Sequence, residues 1–171
     1  MKYRLFLIIV FLSFFNCKED KKLTKEGVIA DKAMIVSARA EASKIGVEIL
    51  KNGGNAFDAM IATDLALAVC YPYAGNIGGG GFMVYRLENG TIGALDYREK
   101  APLAATKQMY LDSLGNVIPN LSTKGGLAVG VPGTVAGLFA VHDKLGSLPI
   151  QTIMQPVIDL ANRGFVVTKK Q

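Results

Sequence analysis

The chain has 171 residues, of which 50% are apolar and 19% charged, and these proportions exclude a mainly disordered protein. The length suits one compact domain of roughly 150 residues rather than a large multidomain protein. The net charge of +5 arises without clusters of cations interleaved with aromatic residues, so no nucleic-acid partner is indicated. Two cysteines and one histidine cannot build a zinc site or a disulfide framework, and we predict neither a metal nor another cofactor.

Residues 1–16 have the pattern of a secretory signal peptide. Lys2 and Arg4 precede an apolar run over residues 5–15, which is shorter than the roughly 20 residues that a membrane-spanning helix needs. Cys17 follows this run, as in a bacterial lipoprotein signal, which the segment resembles and in which the cysteine is lipidated and becomes the mature N-terminus. An ordinary signal peptide or an uncleaved anchor is the alternative.

On either interpretation the chain leaves the cytoplasm. We expect it in the cell envelope, on the periplasmic or outer-surface face, held to the membrane by the lipid on Cys17 or else secreted. Residues 17–27 are predicted to be a charged tether, because seven of the nine residues in 18–26 are charged. The folded body is then predicted to cover residues 28–171.

The first part of the body predicts one strand and two helices. Ala33–Ser37 alternates like a short strand, and residues 41–51 carry apolar side chains at helical spacing. Asn55 and Asp58 can cap the next helix, residues 56–70. This second helix is apolar on almost every face, so we expect it to be buried between layers.

The second part predicts a hairpin followed by one strand and two helices. An Asn-Gly pair in the turn Glu88-Asn89-Gly90 favours a tight hairpin between two apolar runs, which we expect to form a buried sheet. No internal repeat is visible, and the pattern alone indicates an α+β or a layered α/β fold. The predicted segments are strands 82–87, 91–96 and 127–131 and helices 134–144 and 149–163.

Four adjacent glycines, Gly78 to Gly81, lead into the first hairpin strand. Such a run marks positive φ angles or places where another backbone or a ligand comes very close. A phosphate-binding loop fits poorly, because no Gly-Lys-Ser/Thr follows and the glycines precede a strand rather than a helix. Tight entry into a crowded sheet is the alternative to a ligand contact, and both remain open at this point.

Polar residues end the second hairpin strand, in the order Asp96-Tyr97-Arg98-Glu99. Such residues can line a pocket where an apolar strand stops, and the guanidinium of Arg98 is suited to binding a carboxylate in a bidentate way. The alternative is a surface Arg98 paired with Glu99 or Asp96.

No nucleophile with an adjacent base is visible in the sequence. Cys70 closes an apolar helix and is predicted to be a small buried side chain. His142 lies beside Asp143 near a helix end and is predicted to be solvated. The small residues from Gly130 to Gly137 favour close packing of a helix on a sheet over contact with a ligand.

Several long motifs, in this order, resemble the N-terminal part of the large subunit of gamma-glutamyltranspeptidase, also called glutathione hydrolase. The resemblance continues to Phe165 and covers nearly everything after residue 27. The motifs are Lys51-Asn52-Gly53-Gly54-Asn55-Ala56-Phe57-Asp58-Ala59, Ile77-Gly78-Gly79-Gly80-Gly81-Phe82, Leu95-Asp96-Tyr97-Arg98-Glu99-Lys100-Ala101-Pro102 and Gly130-Val131-Pro132-Gly133-Thr134-Val135-Ala136-Gly137-Leu138.

The resemblance implies an α+β fold of the N-terminal nucleophile hydrolase class, a four-layer αββα sandwich of which this chain would hold only part. It also implies a precursor that cleaves itself into a large and a small subunit. The new N-terminal threonine of the small subunit attacks the γ-glutamyl amide of glutathione or another γ-glutamyl compound. Water or an amino-acid or peptide acceptor then resolves the acyl-enzyme. On this template, Arg98 matches the arginine that binds the α-carboxylate of the γ-glutamyl group.

The resemblance places the catalytic threonine outside these 171 residues. We therefore expect a substrate-binding Arg98 but no catalytic residue, and a chain that is inactive without the small subunit of the same precursor. Two alternatives stay open. One is a non-catalytic envelope lipoprotein that binds a small ligand or a partner, and the other is a membrane-attached structural fragment.

Overall fold

The computed structural model describes residues 27–169. The predicted signal peptide, Cys17 and the tether up to residue 26 lie outside the described residues. The chain divides into two units, with the boundary between Ala33 and Met34. In the first unit, residues 27–33 are exposed and contain no helix or strand. The helices and strands described here belong to the second unit.

Two helices open the second unit, α1 (Ala40–Lys51) and α2 (Ala56–Cys70), close to the predicted bounds. The N-terminus of α2 has the predicted capping box. Asn55 Oδ1 accepts hydrogen bonds from the backbone N–H groups of Phe57 and Asp58, at 2.8 and 3.0 Å, and Asp58 Oδ2 accepts one from Asn55 N at 2.9 Å. These bonds satisfy donors that a helix start leaves unpaired, which fixes where α2 begins.

Two more helices, α3 (Thr134–Leu145) and α4 (Ile150–Arg163), also confirm the predictions. Helix α4 contains Pro156 without a break and ends at Gly164, whose φ of 76° is a backbone conformation that favours glycine. Helix α2 packs against α1, α3 and α4. Within residues 27–169, no helix has both the length and the apolar character needed to cross a bilayer.

The hydrophobic core lies among these four helices. It is made of small and branched side chains that interlock where the helices cross. Burial of this apolar surface is the main favourable term for the fold. The fully or almost fully buried apolar residues are Ala42, Ile45, Ile49, Ala59, Ile61, Ala62, Ala66, Cys70, Leu138, Val141, Ile153, Val157 and Leu160.

Strands β1 (Phe82–Arg86) and β2 (Ile92–Asp96) form the predicted antiparallel hairpin, in register from Phe82 opposite Asp96 to Arg86 opposite Ile92. Gly90 takes a φ of 85° in the turn, as the Asn-Gly signal requires. The expectation of a buried sheet is wrong for the described residues, because only one face of the hairpin is covered. On the other face, Phe82 is 64% and Val84 78% exposed.

Two predicted strands are absent. Residues 33–37 form no strand, since an alternating pattern becomes a strand only beside a hydrogen-bonding partner, and none pairs with them within residues 27–169. Residues 127–131 were expected to be extended, but Gly126–Ala128 is a short 3₁₀-helix and only Val131 pairs, in a single bridge with Lys100. Periodicity over so few residues does not separate these conformations.

Candidate functional site

Arg98 lies just after β2, in a segment whose backbone is held on both sides. Before it, Tyr97 N donates to Gly81 O at 3.0 Å. After it, Lys100 and Val131 exchange two backbone hydrogen bonds of 3.1 and 2.8 Å. The main chain that carries the guanidinium is therefore tied to the glycine run on one side and to the segment before α3 on the other.

The side chain of Arg98 is 62% exposed. Its Nε lies 3.5 Å from Glu99 Oε2, and the central carbon of the guanidinium lies 5.7 Å from the centre of the Phe82 ring. Within residues 27–169, the two Nη groups make no hydrogen bond. A single contact of 3.5 Å at the surface is weak, so the planar fork of Arg98 remains available for a bidentate bond to a carboxylate.

A groove of about 290 Å³ lies beside Arg98. Arg98 and Lys100 give this groove two cationic side chains against the one carboxylate of Asp96. Its remaining lining is apolar or small, which leaves room for a ligand's aliphatic part: Leu95, Tyr97, Val131, Pro132, Gly133, Ala136, Gly137 and Ala140. The groove suits an anionic group on a short aliphatic chain.

A larger cavity of about 460 Å³ lies between α2 and the hairpin and is also lined by Tyr97. Asp64 supplies the one carboxyl group of its lining, and burial raises the pKa of this carboxyl. Burial also raises the pKa of Tyr97, and the nearby Asp64 carboxylate raises it further. The lining has no lysine, arginine or histidine, so this cavity does not suit a carboxylate ligand.

The glycine run contacts protein backbone. Gly79 O accepts hydrogen bonds from Gly133 N at 2.8 Å and Thr134 N at 3.1 Å. None of Gly78 to Gly81 has a positive φ, and it is the close approach of Tyr97, 2.7 Å from a Cβ at Gly80 and 2.8 Å from one at Gly81, that requires glycine at these two positions. Of the two interpretations left open by the sequence, tight packing accounts for these contacts.

The other two candidate side chains lie elsewhere. Cys70 is buried, as predicted, and burial raises the pKa of its thiol. The prediction of a solvated His142 is wrong, because the ring is half-buried and its Nε2 lies 2.8 Å from Leu148 O. The reason is that the loop after α3 folds back over the ring. Within residues 27–169, no group of three or more His, Cys, Asp or Glu side chains could hold a metal ion.

Sequence reasoning missed a polar junction at the start of α2. Asp58 Oδ1 accepts a hydrogen bond from Ser147 N at 3.0 Å, and Ser147 Oγ also donates to this carboxylate. Asn55 Nδ2 donates to Leu145 O at 2.7 Å. The capping box gave a local signal for Asn55 and Asp58, but nothing local connects them to residues about 90 positions later.

Comparison with known proteins identifies the family. The family model for gamma-glutamyltranspeptidase matches residues 42–171. The chain belongs to the gamma-glutamyltranspeptidase family. It is 57% identical over 138 residues to the glutathione hydrolase proenzyme of Pseudomonas sp. (strain A14), a match that covers 81% of this chain and 24% of the relative. It is 49% identical over 140 residues to the Escherichia coli (strain K12) proenzyme, covering 82% of this chain and 24% of that relative.

A solved gamma-glutamyltranspeptidase has the same fold over the shared region. The Helicobacter pylori structure superposes with a TM-score of 0.79 at 49% identity, covering 85% of this chain and 42% of the solved chain. The expected fold class, an α+β N-terminal nucleophile hydrolase that is only partly represented here, is therefore confirmed. The chain spans about a quarter of the length of the curated relatives it matches.

Proposed function

We propose that this chain is the part of a glutathione hydrolase that binds the γ-glutamyl group of the substrate, with Arg98 on its α-carboxylate. The observation that carries the proposal is the pair of unbonded Nη groups beside a groove lined by two cations, the Asp96 carboxylate and otherwise mainly small or apolar residues. Membership of the family supplies the substrate class. Arg98 also lies in the motif on which the resemblance to the family rests.

The reaction we propose for the whole protein is γ-glutamyl transfer. The threonine hydroxyl of the small subunit attacks the γ-amide carbonyl of glutathione or another γ-glutamyl compound, and its own α-amine takes the proton. The C–N bond of the γ-amide then breaks, the α-ammonium passes its proton to the leaving amine of the substrate, and the γ-glutamyl group remains as an ester on the threonine. Water, an amino acid or a peptide then accepts the γ-glutamyl group. Arg98 contributes binding and orientation in both steps, because the α-carboxylate is unchanged throughout.

We further propose that the 171 residues alone are inactive, since no catalytic residue is assigned to them. The small subunit of the same precursor is then the required partner. The isolated chain should neither cleave itself nor hydrolyse a γ-glutamyl anilide. Hydrolysis above a buffer control would contradict this part of the proposal.

The role of Arg98 is tested in the full-length precursor, meaning a polypeptide in which this chain continues to the length of its relatives. It can be assembled by joining the chain to the remainder of the Pseudomonas proenzyme. Arg98→Ala should raise the KM for a γ-glutamyl anilide by about 100-fold or more, and Arg98→Lys should restore little, because a point charge cannot reproduce the planar fork.

The matched control is Arg86, an exposed arginine on β1 of the same hairpin. Arg86→Ala and Arg86→Lys should leave the KM within about twofold, since general charge on this surface is not what binds the substrate. Near-normal kinetics in Arg98→Lys would remove Arg98 from the binding site.

We also propose that Cys17 is lipidated and anchors the protein in the cell envelope through the charged tether. The proposal rests on the sequence pattern of residues 1–26. Labelled palmitate should be incorporated into the unaltered protein and into Cys70→Ala, which removes the other cysteine, but not into Cys17→Ser. Equal incorporation in Cys17→Ser would contradict the anchor.

A further inference from the structure

Tyr97, the residue before Arg98, is closely approached by four glycines. Two come from the glycine run, Gly80 and Gly81, and two from the start of α3, Gly133 and Gly137. A methyl group added at any of them would come within 3.0 Å of Tyr97, closer than real Cβ contacts. These four residues are called the glycine clamp.

Two members of the glycine clamp face the main chain. A Cβ on Gly80 would lie 2.7 Å from Tyr97 O and 2.8 Å from Arg98 Cα. A Cβ on Gly133 would overlap Tyr97 O and lie 2.9 Å from Arg98 O. Since backbone atoms cannot swing aside like a side-chain end, a side chain at either position would displace residues 97 and 98.

The other two members face the Tyr97 side chain. A Cβ on Gly81 would lie 2.8 Å from Cε2 and 3.0 Å from Cζ and the hydroxyl oxygen of Tyr97. A Cβ on Gly137 would overlap the near end of the same ring. The ring is therefore held between the glycine run and α3. Its hydroxyl makes no hydrogen bond within the described part of the chain, so packing holds it.

We propose that Tyr97 is a positioning residue, and that the glycine clamp around its ring and backbone sets the position of the Arg98 guanidinium for binding the γ-glutamyl α-carboxylate. This inference rests on the proposed function of Arg98. It adds a role through Arg98 for five residues, Tyr97 and the glycine clamp, of which Tyr97, Gly133 and Gly137 also line the groove.

The local contacts explain why Arg98 depends on this support. Its guanidinium has only the 3.5 Å contact with Glu99 and the ring of Phe82 to hold it, and most of the side chain is exposed. The position of the guanidinium is therefore set mainly by the main chain of Arg98. That main chain is in turn held in place through the preceding residue, Tyr97. A bidentate bond has strict geometry, and a displacement of about 1 Å can cost up to about 100-fold in reaction rate.

The test uses a double-mutant cycle in the full-length precursor. Gly81→Ala should raise the KM for a γ-glutamyl anilide by about tenfold, with a smaller change in kcat, because the new methyl displaces the ring and with it Arg98. In a Tyr97→Leu background, the same substitution should raise the KM by less than about twofold, since the atoms that the methyl would meet are gone.

Gly133→Ala is expected to behave differently from Gly81→Ala in the Tyr97→Leu background. Its methyl meets main-chain atoms that no substitution at Tyr97 removes, so its effect on the KM should be as large in the Tyr97→Leu background as in the unaltered protein. Gly126→Ala is the matched control, because a Cβ there meets nothing within 4 Å. It should change neither parameter. Tyr97→Phe keeps the ring and should retain a KM within about twofold of normal.

The outcomes separate positioning from general stability. A purely structural role would lower the thermal midpoint and the active fraction in Gly81→Ala while leaving the KM unchanged, and that result would overturn the proposal. Equal KM effects of Gly81→Ala in both backgrounds, or a Tyr97→Phe variant as defective as Tyr97→Leu, would also overturn it. If Gly133→Ala fails to fold, the Gly81 cycle alone decides.

Arg98→Lys, measured in the same series, distinguishes the two proposals. A normal KM in Arg98→Lys means that the proposed function of Arg98 fails. A raised KM in Arg98→Lys together with a normal KM in Gly81→Ala means that Arg98 binds the substrate but Tyr97 does not position it.

Discussion

Two carboxylates on helix α2 have opposite surroundings. Asp58, in the first turn, is buried and accepts hydrogen bonds from Ser147 and from Asn55 N. Asp64, nearly two turns later, is half-buried on the wall of the cavity beside Tyr97 and has neither a hydrogen bond nor an ion pair within residues 27–169. The first turn of α2 is thus covered by the loop that follows α3, whereas the α2 face that carries Asp64 lines the cavity beside Tyr97.

The pKa shifts follow this difference. Burial alone would raise the pKa of Asp58, but the hydrogen bonds from Ser147 and Asn55 outweigh it, and the net shift is downward. Burial raises the pKa of Asp64 with nothing to oppose it. The N-terminus of α2 therefore satisfies its own carboxylate, whereas the surface beside Tyr97 leaves Asp64 and the Nη groups of Arg98 available to a ligand or to other polypeptide.

The largest expected effect on stability comes from removing a side chain from the buried core between the helices. Ile61→Ala in α2 removes a fully buried side chain and should lower the free energy of unfolding by about 2–5 kcal/mol. Val84→Ala, on the exposed face of the hairpin, should change it by less than about 0.5 kcal/mol. Urea unfolding of residues 28–171 measures both changes in the free energy of unfolding. Equal losses would contradict the assignment of Ile61 to the buried core and of Val84 to the exposed face of the hairpin.

Removing the charge of Asp58 should have a smaller effect. Asp58→Asn weakens the capping box and the bonds to Ser147, and we expect a loss of about 1–3 kcal/mol at pH 7. Asp143→Asn, at an exposed carboxylate, is the control and should change the stability little. An unchanged urea midpoint in Asp58→Asn would show that the polar junction contributes nothing.

The same variant predicts a pH dependence. Because the folded-state pKa of Asp58 lies below its usual value of 3.8, its ionised form stabilises the fold above that value, and the contribution is lost as pH falls through the lower folded pKa. The stability difference between the unaltered chain and Asp58→Asn should therefore shrink in acid below about pH 4. A constant difference down to the acid limit would contradict the sign of the shift.

The smallest effect, of opposite sign, is expected at Asp64. Since its folded-state pKa is raised above the usual 3.8, ionised Asp64 opposes folding at pH values above the folded pKa. Asp64→Asn should thus stabilise residues 28–171 at pH 7, by roughly 0.5 kcal/mol. The gain should disappear as pH falls below 3.8, where Asp64 is protonated in both states. A loss of stability at pH 7 would mean that Asp64 has a favourable partner.

Local signals predicted the elements that depend on nearby residues. The capping box at Asn55, the Asn-Gly turn and Gly164 marked helix and hairpin ends correctly because each acts within a few positions. The strand expected at residues 33–37 failed because a strand needs a partner that sequence periodicity does not show.

The candidate site was likewise predictable only where its signal is local in the sequence. The polar run from Asp96 to Glu99, where the apolar strand stops, identified Arg98 as a candidate but left it between a surface ion pair and a carboxylate-binding group. Resemblance to the family favoured the second role. The close approach to Tyr97 of Gly81 and Gly133, about 50 residues apart, depends on tertiary packing, so the sequence showed only small residues without their common neighbour.

One measurement tests most directly the claim that Arg98 binds the α-carboxylate. The kcat/KM of the full-length precursor is compared for a γ-glutamyl anilide and for its analogue without the α-carboxylate, in the unaltered protein and in Arg98→Ala. We predict a loss of about 100-fold or more for the analogue in the unaltered protein, and less than about threefold in Arg98→Ala. An equal loss in both proteins would contradict the account, since another group would then recognise the carboxylate.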